Sequence, residues 1–449
     1  MGDDFTERSG SAPSPGRSDR STTAPGTGEQ PPGMSRRGLL ALGGGVGLAT
    51  GALVGGAVGA NWLGGGTASP ETDSLEYPFF GEHQAGIVTP AQDRLHFAAY
   101  DVREQTTRDE LIALLTDWTY AAGRLTMGLG VSAKGAFDGG PYLPPDDTGE
   151  AADLGPSGLT ITFGFGRSLF LTDDGQDRFG LADRLPPGFT GLPKMVNDFI
   201  DPALSGGDLC IQACANDPQV AVHAVRNLTR IGFGRTQMRW SQLGFGRTSS
   251  TSTSQSTPRN LFGQKDGTRN VKAEEPDRLT EHVWIDDGPT AAIGGSYLVA
   301  RRIAMTIEVW DGVQLTEQDR VLGREKRTGA PLSGGEEFTD PDFAKTDNAG
   351  DPLIDTRSHV FRTAPENNDG IAMLRRGYNY VDGTTDTGRL NAGLFFIAFV
   401  KSPERFAAVH KNMARDDLFV EYLKTTSSSV FLIPPGITEG EHVGQAFFS

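Results

Sequence analysis

The sequence predicts an α+β fold built from two similar units, each an antiparallel sheet covered by helices. Three observations lead there. At 449 residues the chain exceeds what a single hydrophobic core normally serves. Strand-like and helix-like patterns are interleaved in both halves, as in sheets with helices laid across them. Each half also opens a late helix with the same device, Asp217-Pro218 in one and Ser402-Pro403 in the other. The capping side chain accepts from free amides, and proline suits the first helical position, which needs no amide partner.

In the first half, residues 95–102 read as a strand. Thr107 and Glu110 have capping-box spacing, and Leu111, Leu114, Leu115, Trp118 and Ala122 form one apolar stripe, so a helix follows. Residues 159–163 and 208–214 read as further strands, and Asp217 caps the next helix. In the second half, residues 297–309 alternate as a strand, and Thr316 and Asp319 are expected to cap a short helix. Residues 394–400 form an apolar strand, the helix opened by Ser402 runs to Asp416, and residues 430–433 close the sheet. Between the halves lies Arg247-Thr248-Ser249-Ser250-Thr251-Ser252-Thr253-Ser254-Gln255-Ser256-Thr257-Pro258, whose composition is that of a flexible linker. Cys210 and Cys214, the two cysteines of the chain, fall at i and i+4 on a predicted strand. That spacing is roughly 13 Å, beyond the reach of a disulfide, so two free, mostly buried thiols are expected.

The net charge is −16. Residues 1–60 carry as many acidic as basic groups, so the remainder bears all of the excess. Such an acidic surface excludes nucleic acid as the partner, and no Cys/His cluster has zinc spacing. Residues 1–34 are rich in Ser, Gly, Pro and Thr. Arg36-Arg37 then precedes residues 38–70, which contain no charge. This is the pattern of a twin-arginine export signal, with Leu39 where that pattern prefers Phe and with Val58-Gly59-Ala60 or Gly66-Thr67-Ala68 as cleavage sites. An uncleaved anchor is the alternative. The expected organisation is a leader with its signal at 1–68, an N-terminal unit at 77–245 and a C-terminal unit at 246–449. The expected location is extracellular, in the cell envelope or periplasmic. Twin-arginine export carries folded proteins, often with a cofactor already inserted, so a cofactor is expected.

Gly263-Gln264-Lys265-Asp266-Gly267 reads G-x-x-D-G. Alone it is compatible with an aspartate holding a glycine turn. It stands in order, however, with Glu82-His83-Gln84-Ala85-Gly86-Ile87, residues 207–226, Gly246-Arg247-Thr248, Gly295-Ser296-Tyr297-Leu298-Val299-Ala300-Arg301-Arg302, Asp355-Thr356-Arg357-Ser358-His359-Val360 and Leu374-Arg375-Arg376-Gly377-Tyr378. Together these make most of residues 77–449 resemble the dye-decolorizing peroxidases, in particular an exported subgroup similar to deferrochelatases. The resemblance implies two ferredoxin-like domains, with one haem b per chain held mainly by the C-terminal one. It implies hydrogen peroxide and an organic reductant such as a dye or phenol as substrates, and a homo-oligomer as a common state. It also implies that the Ser/Thr stretch is an ordered loop near the haem, against its composition.

The same resemblance assigns roles. His359, sixteen residues before Arg375, would be the axial ligand of the haem iron. Asp266 would carry the proton between the two peroxide oxygens, and Arg375 would stabilise the charge on the departing one. Arg376 competes for that place, or else meets solvent or a carboxylate. Gly263 and Gly267 would let the backbone approach the porphyrin. A carboxylate should orient His359 from behind, with Glu421 ranked first and Asp417 second. Arg324 would pair with a haem propionate or be an exposed helix-end arginine. The family often has Arg two residues after the histidine, whereas here Phe361 precedes Arg362, which leaves a propionate contact by Arg362 open. Trp310, Tyr378 and Tyr380 would carry oxidising equivalents to the surface or simply pack. The alternative function is release of iron from haem for uptake.

Overall fold

The structure is a computed structural model and describes residues 74–449; the twin-arginine segment lies outside them. Its strands are β1 (Arg94–Val102), β2 (Thr160–Gly166), β3 (Leu209–Ala215), β4 (Thr236–Arg247), β5 (Ser296–Met305), β6 (Leu374–Arg375), β7 (Tyr378–Thr384), β8 (Leu390–Val400) and β9 (Leu423–Ile433). The longer helices are α1 (Arg108–Leu125) and α2 (Pro218–Ile231) in the first half. The second half has α3 (Ile307–Asp311), α4 (Leu315–Leu322), α5 (His359–Thr363) and α6 (Pro403–Asp416).

Both halves have the predicted α+β, ferredoxin-like arrangement. The first pairs β2-β3-β1-β4 and the second β7-β8-β5-β9, all antiparallel, with the first and third strands of each half at its centre. The two sheets are also joined at both margins. Phe165 and Gly166 of β2 pair with Leu432 and Phe431 of β9, and Phe245 of β4 pairs with Asn379 of β7. Because β5 bonds to both β8 and β9, the strand order returns on itself as a ring.

That ring explains why its strands read as apolar on both sides. On β1, Phe97 and Ala99 join an inner cluster with Trp240, Phe395 and Phe431. The alternate residues, Ala98 and Tyr100, pack outward against Trp118 of α1 and Leu228 of α2. The capping box of Thr107 and Glu110 is formed, and Asp217 accepts from the amides of Gln219 and Val220. Cys210 and Cys214 are free and buried.

Several local expectations change. The strand expected over 297–309 ends at Met305, after which Thr306 turns the chain into α3. Thr316 does not cap α4, which starts at Leu315 after Gln314; Asp319 instead accepts from the Lys326 amide at 2.8 Å. The closing strand begins at Leu423, not 430. Its early buried positions are Thr425, Ser427 and Ser429, all polar, which hid them from an apolar pattern. The Ser/Thr stretch, by contrast, is the ordered loop that the resemblance implied and not the flexible linker of its composition: residues 248–252 are buried. Its hydroxyls and amides find partners, for instance Thr251 Oγ1 donating to the Thr89 carbonyl at 2.7 Å and the Thr251 amide donating to Gln255 Oε1 at 3.2 Å. Composition measures the absence of apolar burial, and here hydrogen bonding supplies the order instead.

Candidate active site

A cleft opens beside the face of β5 and β8, near α5 and α6. In the β5–β8 register Arg301 opposes Phe396 and Ile303 opposes Leu394, so these side chains share one face. With Met305, Val409 and Met413 they make much of the lining apolar.

His359 enters this cleft from the start of α5. Ser358 caps the helix, accepting from the Phe361 amide at 3.4 Å. Gly323 ends α4 in the left-handed region (φ 81°). A Cβ there would lie 2.8 Å from Ser358 Oγ, so the glycine lets the end of α4 pack directly beneath the histidine. His359 Nδ1 lies 2.8 Å from Asp417 Oδ2. A carboxylate can only accept, so Nδ1 carries the proton and Nε2 keeps the lone pair needed for ligation. The other Asp417 oxygen accepts from the Phe419 amide at 2.9 Å. This corrects the ranking of carboxylates. Asp417 caps the turn over Leu418–Tyr422 and is folded beneath it, whereas Glu421 sits on that turn facing solvent.

Asp266 and Arg375 reach the same cleft from other elements, the G-x-x-D-G loop and β6. Arg375 Nη1 donates to Asp266 Oδ1 at 2.9 Å, and the Asp266 amide donates to the Pro258 carbonyl at 3.0 Å. Arg376 points the other way, as strand alternation requires. It is fully buried and bonds the Thr89 carbonyl, Gln92 and Thr251. It meets neither solvent nor a carboxylate, and it does not compete for the cleft.

The two glycines do different work from that expected. Gly267 (φ 85°) lines the cleft, but a Cβ there would meet the Ser249 Cα at 2.9 Å. The close approach it permits is to the Ser/Thr stretch. Gly263 (φ 75°) faces the Lys326 side chain, making it a turn residue outside the lining.

Arg324 is a buried lining residue rather than an exposed helix end. It donates to the carbonyls of Gly329 at 2.7 Å and Glu337 at 2.9 Å. Burial first, then the nearby Arg269 cation, draws its pKa down to about 10. Arg362 turns toward Asp416 at 3.8 Å, and Phe361 packs edge-on against Phe343. Trp310, Tyr378 and Tyr380 are all fully buried. Trp310 lies 5.7 Å from Phe419, which lies 5.0 Å from His359, and 4.8 Å from the half-buried Tyr422.

Sequence reasoning missed two lining residues. Arg301 is buried and paired with Asp198; a charge within an otherwise apolar strand was the available signal. His410 also lines the cleft, and burial, followed by the nearby Arg301, lowers its pKa to about 4. Nothing in its sequence context marked it.

These groups fit a haem. With Nδ1 bonded to Asp417, Nε2 of His359 is the nitrogen left for an axial bond, the walls are apolar, and buried Arg324 bonds to carbonyl oxygens, leaving its charge available to a carboxylate. Among the described residues no cluster of three or more His, Cys, Asp or Glu could hold a metal ion by itself.

Two ferredoxin-like units, with an imidazole and an acid–arginine pair on one apolar cleft, define a haem-dependent peroxidase. Residues 84–246 match the N-terminal Dyp-type peroxidase family and residues 257–438 the C-terminal one. The deferrochelatase of Escherichia coli (strain K12) is 34% identical over 390 residues, 85% of this chain and 89% of that protein. Ferric DtpA from Streptomyces lividans is 38% identical with a TM-score of 0.77, covering 85% of this chain and 100% of that one. The DyP-type peroxidase from Cellulomonas bogoriensis is 35% identical with a TM-score of 0.74, covering 84% and 99%. The chain belongs to the Dyp-type peroxidase family.

Proposed function

We propose that this peroxidase uses hydrogen peroxide to oxidise dyes, phenols or similar donors by one-electron steps. The observation that carries the reading is the Asp266–Arg375 contact at 2.9 Å in the cleft that also receives His359. Haem, when bound, would supply the redox chemistry that links peroxide to one-electron donors. His359 would hold it through Nε2, with Asp417 fixing the ring and raising its basicity. Asp266 takes the proton from the near peroxide oxygen and delivers it to the far one, which leaves as water. Arg375 offsets the negative charge growing on that leaving oxygen, and its bond to Asp266 keeps the carboxylate aimed into the cleft. Arg324 would hold a propionate.

The test is Asp266→Asn. Haem content should be unchanged, while the spectral reaction with one equivalent of peroxide slows by about 10²–10⁴-fold. An undiminished rate removes Asp266 from the chemistry. A second reading, release of iron from haem, rests on the 34% identity to a protein named deferrochelatase. Iron-free porphyrin accumulating without donor oxidation would favour it. Export by the twin-arginine route is proposed from Arg36-Arg37 and the uncharged stretch after it; retention of an Arg36→Lys/Arg37→Lys variant inside the cell would support it.

A further inference from the structure

We propose that Asn270 is a positioning residue that fixes Arg375 over the cleft by clamping that residue's own backbone to the loop carrying Asp266. The inference rests on the distal role given to Arg375 above. It starts from the short strand β6. Leu374 and Arg375 pair with Phe399 and Ala398 of β8, and the next bond to β8 comes from the Arg376 amide to the Ile397 carbonyl at 2.8 Å. In a strand the amide and carbonyl of one residue point to the same side and alternate along the chain. Those of Arg375 therefore face away from β8. Among the described residues no strand pairs with that side: β4 meets this segment at Tyr378 and Asn379, and Thr248 adds one bond to the Gly377 carbonyl at 2.8 Å.

Asn270 takes the place of the missing strand. Its Oδ1 accepts from the Arg375 amide at 2.7 Å, and its Nδ2 donates to the Arg375 carbonyl at 2.8 Å. A carboxamide presents a donor and an acceptor side by side, as a peptide edge does. Nδ2 also donates to the Ser250 carbonyl at 3.0 Å, and the Asn270 amide closes a turn onto the Gly267 carbonyl at 3.1 Å. Asn270 is itself buried, at 2% exposure, so a lost partner would leave polar groups unpaired. One short loop thus grips Arg375 twice, its guanidinium through Asp266 and its backbone through Asn270. The second grip sets where the first can form.

Fluoride binding to the ferric haem-loaded protein tests this without turnover, because a distal cation stabilises the bound anion. Arg375→Leu should weaken fluoride binding by on the order of tenfold or more. Asn270→Ala should reproduce much of that loss with the Soret band intact, and the double variant should be no weaker than Arg375→Leu alone. Asn270→Asp is the second variant: it keeps the acceptor for the Arg375 amide but sets a carboxylate against two carbonyl oxygens, and it should also weaken fluoride. Asn227→Ala is the control for general destabilisation. That residue is equally buried and bonded, to Thr148 and the His223 carbonyl, but belongs to α2. It should leave fluoride affinity unchanged. If Arg375→Leu weakens fluoride while both Asn270 variants bind like wild type, the clamp is wrong and the arginine's role stands. If Asn270→Ala weakens fluoride further in the Arg375→Leu background, Asn270 acts by another route and the proposal fails. If Arg375→Leu leaves fluoride unchanged, the arginine's role falls and the clamp with it.

Discussion

Asp417→Asn is the most searching perturbation of the histidine side, because it changes no shape and forces a choice. Asp417 has two clients: Oδ2 accepts from His359 Nδ1–H at 2.8 Å and Oδ1 from the Phe419 amide at 2.9 Å. Both are donors, and an asparagine offers one acceptor. If its oxygen faces Phe419, its NH₂ confronts Nδ1, which must then give up its proton; the proton moves to Nε2 and blocks ligation. If its oxygen faces His359, its NH₂ meets the Phe419 amide, donor against donor. The first arrangement keeps both hydrogen bonds but loses the ligating tautomer; the second sacrifices one buried hydrogen bond, costing about 1–3 kcal/mol, or roughly 5–150-fold in an equilibrium constant. Losing an outer-shell partner typically costs about 10–100-fold in metal affinity, which falls in the same range. The assay is haem transfer to excess apomyoglobin, followed in the Soret region: the variant should release haem at least about tenfold faster. Glu421→Gln, changing the exposed carboxylate on the next turn, should match wild type. Wild-type release from Asp417→Asn, or rapid release from Glu421→Gln, would refute the assignment.

Three further outcomes are expected. Gly267→Ala should destabilise the protein by about 2–3 kcal/mol in urea melts, combining strain at positive φ with the contact to Ser249; an unchanged midpoint with unchanged slope would refute the packing argument. Burial lowers the pKa of His96 to about 4 from 6.5. The unfolded chain therefore binds this proton first, so the contribution is whole above pH 6.5 and lost as pH falls toward 4. Wild type should lose about 3 kcal/mol relative to His96→Gln between pH 7 and 4, and a constant difference across that range would remove the effect. Trp310→Phe should cut oxidation of bulky dyes several-fold while the peroxide reaction keeps its rate; equal dye turnover would relegate Trp310 to packing.

Much of the architecture was legible because its signals are local. Asp217-Pro218, the Thr107 capping box and the alternation on β1 each specify a dihedral or a face within a few residues. The order of motifs placed Asp266, Arg375 and His359, and the structure brings all three to one cleft. What escaped was set by distant partners. Asp417 and Glu421 differ only in how one turn folds, which no spacing rule reveals. Composition alone missed the order of the Ser/Thr stretch, which the resemblance implied, because that order comes from groups such as Thr89 and Asn270. Arg376 remained a competitor of the motif's choice, Arg375, until the strand fixed which of the two faces the cleft.

The ring of strands gives the molecule a definite last step. β9 is the final ring strand in chain order, yet it lies between β5 and β2 and bonds to both. Until Ile433 has been synthesised, β2 keeps a bare edge. The first unit, although complete in sequence long before, remains an open sheet with adhesive margins. Inserting β9 pairs the end of β2, at Phe165 and Gly166, and ties the two halves into one closed object. It also seats the turn that delivers Asp417 to His359, since Leu418–Tyr422 leads directly into β9. One strand thus both closes the ring and anchors the turn behind the histidine, so a chain shortened before it would lose the closure and that anchor together.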